Sequence, residues 1–400
     1  MQRDHRGRRR RLVGEGPALA ARTALPVRTV LGILAFLLVW RLAILVFSYT
    51  ADAAGPGSCG WGQPTLLKYS ACWDSAFYLS IAEHGYRVVD GDLASIAFFP
   101  LYPLLIGLVD WLLPGNAALA GLFVGHMALA GATFYIYRLF QLEFDDDTAW
   151  RTLWFLLVFP SALFLTAIYA EPLLLFGLAG MLFHARRGHW LRAGLFAALA
   201  SGTKAVGVLA IVPLVVEAVA QGAIQRRDVR SLVGIALAPL GALAYLAYLQ
   251  VRFGDFRLFL EAEATYWLRE SRELVVLPAL RRLLYGDMDY ALTFYPETIS
   301  SLPSFHLLTD TVFLLLFALA GIILWLKVRP TYGAFVLAFA VLFAFSGSTQ
   351  SLNRYVIVLF PAFLLPARVQ SERVRDAISG VSVLWLGLTI YLFVNGRWAG

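Results

Sequence analysis

The chain has 400 residues, is 60% apolar and only 15% charged, and has a mean hydropathy of +0.70. Soluble domains of this size lie nearer 45–50% apolar, so a soluble globular protein is excluded. The apolar residues come in charge-free blocks of about 17–25, enough to cross about 30 Å of hydrocarbon. Period-2 alternation is absent, which argues against a membrane β-barrel.

The net charge of +7 is no nucleic-acid footprint. Much of it is Arg3, Arg6, Arg8, Arg9, Arg10 and Arg11. Residues 1–27 read as a disordered basic tail that marks the cytoplasmic side and attracts anionic headgroups. No small-residue cleavage site follows a short apolar stretch, so no removable signal peptide is expected. Residues 28–400 read as one transmembrane domain.

The apolar blocks fall at 28–49, 97–113, 117–140, 149–167, 172–186, 190–203, 205–221, 231–252, 309–327, 331–346, 352–369 and 378–395. Two long polar segments interrupt them, 50–96 and 253–308. Short loops carry Arg186, Arg187 and Arg192; Arg226, Arg227 and Arg230; Lys327 and Arg329; and Arg368, Arg373 and Arg375. The positive-inside rule puts these loops on the side of the tail. That holds only if one early block does not cross. The candidate is 97–113, which opens Phe98-Phe99-Pro100-Leu101-Tyr102-Pro103, contains Asp110 and ends Pro114-Gly115. It reads as re-entrant or interfacial, within a first outer loop of 50–116. The expected fold is an all-α polytopic membrane protein of about eleven spans, N-terminus in and C-terminus out, with two large outer loops. Block 190–203 is only about 21 Å long at 1.5 Å per residue, which implies a cavity reaching in from the outer face.

The same topology puts five unusual features on the outer side: loop 50–96, the turn at Glu171, the turn at Lys204, loop 253–308 and the turn before Arg354. Asp74 opens the amphipathic run Trp73-Asp74-Ser75-Ala76-Phe77-Tyr78-Leu79-Ser80-Ile81-Ala82-Glu83-His84-Gly85. Trp73, Phe77, Ile81 and His84 define a face that could rest on the membrane, and Gly85 is a stop. Asp74 reads as a general base, or as a helix N-cap. Glu171 reads as a second carboxylate facing the acceptor, or as a solvated carboxylate beside Pro172 at a helix start. Lys204 reads as a phosphate ligand, or as a snorkelling cation. Arg354 sits at the outer end of an apolar run, against the positive-inside bias, and its planar fork suits phosphate oxygens; Tyr355 follows it.

Trp73, Tyr78, His84, Tyr86, Phe99, Tyr102, Tyr169 and Trp267 are candidates to line the same cavity, with interfacial anchoring the alternative for Trp267. Arg269, Arg272, Arg281 and Arg282 read as a solvated or headgroup-facing surface. Cys59 and Cys72 share the first outer loop, where a disulfide is permitted; two separate thiols are the alternative. No HExxH, CxxC or clustered His/Cys pattern exists, and Asp145-Asp146-Asp147 falls on the predicted cytoplasmic side, so no metal site is expected.

The runs WDSAFYLSIAEHGY, AFFPLYP, FPSALFLTAIYAEPLLL, ALASGTKAVG and SLNRYVIVLFP, with GDFRLFLEAEATYW, resemble in order the PIG-V family. These are the second mannosyltransferase of GPI-anchor synthesis and its prokaryotic relatives, within the GT-C superfamily. The resemblance implies a polyprenyl-phosphate mannose donor, a lipid or glycan acceptor and extracytoplasmic catalysis. It implies Asp74 as the acidic residue of the first outer loop, at the catalytic position, Glu171 as the acidic residue of the second outer loop, and Arg354-Tyr355 as the late pair. Lys204 stands where the family more often has Arg. A single carboxylate rather than a DxD pair points to chemistry without a divalent metal. The rival readings are a related enzyme using another polyprenyl-phosphate sugar, a secondary transporter, and a non-catalytic subunit of a glycosylation complex.

Overall fold

The computed structural model describes residues 25–55, 59, 65–88, 92–113, 115–267, 269, 303–348 and 350–399. The basic tail up to residue 24, and Arg272, Arg281 and Arg282 of the second loop, lie outside the described residues.

The described chain is helical, with no strand pairing into a sheet. In order, the helices are α1 (Val27–Ala53), α2 (Ser75–His84), α3 (Leu101–Leu112), α4 (Ala117–Glu143), α5 (Asp146–Leu157), α6 (Glu171–Arg186), α7 (Trp190–Thr203), α8 (Ile211–Ala220), α9 (Val229–Leu237), α10 (Leu240–Phe253), α11 (Leu258–Trp267), α12 (Pro303–Ile323), α13 (Pro330–Ala344) and α14 (Glu372–Val394). Helix α6 is the axis. It buries every residue except Phe176 and Arg186, as a helix apolar on all sides must, and packs most extensively on α4 and α7. By contrast α1 exposes Leu31, Leu34, Leu38, Val39, Leu42 and Val46 to the surroundings, a lipid-facing stripe.

By length and composition, four segments can cross a membrane: Val27–Ala53, Ala117–Glu143, Phe305–Val328 and Glu372–Val394. The pair α9–α10, bent by 43°, would be a fifth. Other apolar blocks fold into shorter pieces. Block 149–167 is helical only to Leu157 and continues as buried turns. Block 352–369 is a chain of short helical turns around Leu359 and Pro361, almost wholly buried. Block 205–221 begins as a 3₁₀ turn, Ala205–Ala210, before α8. Such broken backbone survives at membrane depth because protein covers it.

The two ends of the bundle carry different charge. At one end α4, α6, α8 and α13 bring together Glu143, Arg186, Glu217 and Arg329. Arg186 bonds Glu143 and lies 2.8 Å from Glu217, while Arg329 lies 3.7 Å from Glu217. Thr331 and Gln221 donate to the fully buried Glu217 at 2.5 and 2.7 Å. Arg226 donates to the Gln221 carbonyl, and Arg368 stacks on Phe144 at 4.7 Å. All four arginine-bearing loops therefore contribute a residue to this end.

Helix α3 stays at the opposite end. Phe98 and Phe99 before it line a cavity there, and α4 begins just after it with Asn116 capping Ala118 and Leu119. From there α4 passes Ile168 at Gly121 and Pro172 at Gly125 before its Glu143 meets Arg186. The reversal after α7 is equally tight. A Cβ on Gly207 would fall 2.0 Å from the Ala200 carbonyl oxygen, so the 3₁₀ turn lies directly on the last turn of α7, with extended Lys204 at the tip. Gly207→Ala should push these backbones apart and lower thermal stability in detergent by about 1–3 kcal/mol, with Lys204 displaced from its partner.

Candidate active site

Four segments separated widely in sequence meet at the cavity end. Asp74 opens α2, Glu171 opens α6, Lys204 closes α7, and Arg354 lies in the short helix Leu352–Tyr355. Two of the three described non-glycine residues with positive φ flank them: Trp73 (54°) before Asp74, and Ser351 (66°) before Arg354. Strained backbone of this kind persists only where surrounding contacts hold it.

Arg354 is the hub. Its Nη1 donates to Asp74 Oδ2 at 2.6 Å, and its Nε lies 3.2 Å from Glu171 Oε1. Lys204 Nζ donates to the same Glu171 oxygen at 2.6 Å. Glu171 and Arg354 are fully enclosed, with side chains 1% and 3% exposed, whereas Asp74 is 11% exposed. Aromatic faces surround the guanidinium: Tyr169, Tyr355 and Trp398 lie 5.3, 5.2 and 5.7 Å from it. Lys204 sits 4.1 Å above the Tyr355 ring. Such contacts stabilise a cation where water is scarce.

The alternatives left open by the sequence resolve as follows. Asp74 occupies the cap position of α2, but its carboxylate accepts no capping bond and faces Arg354 instead. Glu171 is not solvated, and Lys204 does not snorkel; they pair with each other. Trp267 is no free anchor; it packs edge-on to Phe98, 5.6 Å away, and lines the cavity. Cys59 and Cys72 are joined in a disulfide.

Three expectations are corrected. The face Trp73, Phe77, Ile81 and His84 does not rest on a membrane: Phe77 stacks on Phe98, Trp73 on Trp398, and Ile81 is buried. The helix is too tightly roofed by the segment 94–99 to offer that face. His84 lines nothing; it is exposed beside Glu83. Arg269 does not belong to a solvated surface: its side chain is only 13% exposed and lines the cavity.

Tyr86 and Tyr102 stand one layer behind the cavity. Tyr86 donates to the Phe98 carbonyl at 2.5 Å, and Tyr102 to the Gly121 carbonyl at 3.0 Å, with Tyr78 edge-on above it. Tyr169 donates to the Cys72 carbonyl and accepts from the Asp74 N–H, at 3.2 and 3.3 Å, fixing the turn that presents Asp74. The same turn is held from below by Arg41 of α1, which donates to Ser70 at 2.9 Å, while Ser70 carbonyl accepts from the Ile168 N–H. Arg41 interrupts an apolar run just as Lys204 does, and that signal could have flagged it; nothing in the sequence points to Trp398.

The cavity has a volume of about 40 Å³, lined by Asp74, Tyr78, Phe99, Lys204, Arg269 and Arg354 among others. Its roof is α11, tied to the first loop by Tyr266, whose hydroxyl accepts from the Leu93 N–H. Beside it the Ala94 N–H and the Tyr266 hydroxyl hold the Asp92 carboxyl below its ordinary range. Among the described residues no group of three His, Cys, Asp or Glu side chains could hold a metal. The two carboxylates that line the cavity, Asp74 and Glu263, are paired with Arg354 and Arg269.

A family model described as Mannosyltransferase (PIG-V) matches residues 45–248, a span containing Asp74, Glu171 and Lys204. No curated protein matches the sequence. Two solved structures of the Archaeoglobus fulgidus oligosaccharyltransferase are similar, one a complex with zinc and sulfate, the other AglB with an inhibitory peptide and a dolichol-phosphate. Both are 14% identical and cover 90% of this chain, with TM-scores of 0.41 and 0.42. The chain spans about half their length, 53% and 56%.

Because Glu171 holds two cations in full burial, Glu171→Ala should destabilise the protein by about 3–5 kcal/mol. Asp74→Ala should cost less, since Arg354 keeps Glu171. Thermal unfolding of both variants in detergent measures the difference, and a larger loss for Asp74→Ala would refute this ranking.

Proposed function

The chain belongs to the PIG-V mannosyltransferase family, and we propose that it transfers mannose from a polyprenyl-phosphate mannose donor to a hydroxyl of a lipid or glycan acceptor. The observation that carries this reading is the meeting of Asp74, Lys204 and Arg354 at one aromatic-walled cavity, with Glu171 buried behind them and paired to both cations, at the end of the bundle opposite the arginine loops. Under the positive-inside rule the end that carries the arginine loops is cytoplasmic, so the cavity faces the outer side of a multi-pass protein. The assignment of about eleven crossing segments, with 97–113 returning to the outer face, belongs to the same proposal.

The reaction is a single displacement with inversion. Asp74 takes the proton of the acceptor hydroxyl while that oxygen bonds to C1 of the sugar. The bond from C1 to the phosphate oxygen breaks, and its electron pair leaves with the lipid phosphate. Lys204 and Arg354 stabilise the charge that gathers there. The ion pair between Arg354 and Asp74 gives this sequence an order. A phosphate that attracts Arg354 withdraws it from Asp74, and the carboxylate becomes available to the acceptor. Glu171 keeps Lys204 and the rest of Arg354 in place.

This scheme uses no metal ion; Arg354 and Lys204 already engage one oxygen each of Asp74 and Glu171. Activity should persist in EDTA; its loss, with rescue by manganese, would overturn this part.

The test is transfer of radiolabelled mannose by the purified protein to a membrane lipid and glycan extract. Asp74→Asn, verified as folded, should lose about 10²–10⁴-fold in kcat. Equal rates in both proteins would remove Asp74 as base. Product only from another polyprenyl-phosphate sugar would reassign the donor, and solute counterflow in proteoliposomes without transfer would replace the enzyme by a transporter.

A further inference from the structure

Arg269, two residues beyond the end of α11, is the third cation of the cavity. Its guanidinium lies 5.2 Å from the centre of the Tyr355 ring, which Lys204 and Arg354 also approach. Its one short bond runs from Nη1 to Glu263 Oε2 at 2.9 Å. The others are long: 3.4 and 3.5 Å to the Tyr355 hydroxyl and 3.4 Å to the Gln350 carbonyl. Nε is buried and donates to nothing among the described residues. A guanidinium carries five N–H donors in a fork matched to phosphate and carboxylate oxygens. Here only one is well used.

Charge balance gives this spare capacity a meaning. Lys204, Arg269 and Arg354 face Asp74, Glu171 and Glu263, three charges of each sign around one cavity. An entering anion must therefore take donors away from a carboxylate. Glu171 is 1% exposed and holds two cations, so stripping it is the costliest exchange. Asp74 is 11% exposed and Glu263 17%. Among the described residues of the cavity, Glu263 is the carboxylate water reaches best, and Arg269 is the one cation paired with it. The cheapest exchange is at Arg269.

We propose that Arg269 is a third ligand for the phosphate of the lipid-linked donor, and that Glu263 holds its place until the phosphate arrives. This rests on the phosphate-bearing donor proposed above. It adds a residue from the second large loop to a site otherwise built by α6, α7 and the helix Leu352–Tyr355. Glu263, released, turns to solvent or to the hydroxyls of the incoming sugar.

The exchange makes the two partners opposite in effect. Arg269→Ala removes a phosphate ligand, and binding should weaken about 10- to 100-fold, the size of one charge-assisted contact. Arg269→Lys, which keeps the charge and loses the fork, should fall between. Glu263→Gln removes the competitor, and binding should tighten several-fold. A pair that only holds α11 in place would make both variants weaker binders, or neither. The measurement is thermal stabilisation of each purified full-length protein across a titration of polyprenyl phosphate, with polyprenol and inorganic phosphate in parallel. Polyprenyl phosphate should separate the variants as stated, and polyprenol should not. Wild-type affinity in Arg269→Ala, or weaker binding in Glu263→Gln, would overturn the proposal. Affinities in the expected order without any sugar transfer would leave the phosphate site standing and defeat the transferase reading. Transfer with an unchanged donor KM in Arg269→Ala would do the reverse.

Discussion

The structure depends on one buried carboxylate. Glu171 stands at the first turn of a helix buried along its whole length, with an ammonium and a guanidinium on one of its oxygens. Desolvating such a group costs several kcal/mol unless its partners are close and fixed. That requirement draws Lys204 from the end of α7 and Arg354 from a segment 183 residues further along the chain, and Arg354 in turn brings Asp74. The folding of the bundle and the assembly of the cavity are therefore one event. The strained turns at Trp73 and Ser351 are what it takes to bring the last two partners in.

Helix α6 makes a second charged centre unavoidable. It carries Glu171 at its N-terminus and Arg186 at its C-terminus, about 22 Å apart at 1.5 Å per residue. Each charge complements the helix dipole at its own end. Arg186 then needs Glu143 and Glu217, and these recruit Arg329 and Thr331. The result is a bundle with two polar poles and an apolar middle. The pole rich in arginine loops is the one the positive-inside rule favours for the cytoplasm, which is the basis of the sidedness proposed above.

Much of the cavity was legible because charge inside an apolar run is conspicuous. Asp74, Glu171, Lys204 and Arg354 stand out for that reason, and the structure brings all four together. Arg269 escaped notice because it sits among other arginines in a polar loop, where a solvated face is the natural reading; only its packing on Tyr355 distinguishes it. The face of α2 misled for a related reason. Periodicity marks which side is apolar, not whether lipid or Phe98 will cover it. Helix continuity was also beyond reach. Hydropathy records that 149–167 and 352–369 are apolar, but a backbone that breaks after Leu157 or at Leu359 is set by the protein packed around it.

The pairing of every cavity charge in the free protein follows from the medium. A lone carboxylate or guanidinium among aromatic rings at membrane depth would be neutralised or would pull water in after it. Holding Asp74 on Arg354 offsets that penalty for both groups and fixes the orientation of the guanidinium. The cost is that neither group is free to react. In the proposed reaction a phosphate resolves the conflict, because its oxygens match the guanidinium fork and leave the Asp74 carboxylate next to the incoming hydroxyl. An acceptor alone brings no charge to exchange. On the proposed mechanism, a site built this way holds its base back until the donor is present, and the same ion pairs serve the fold and the order of the reaction.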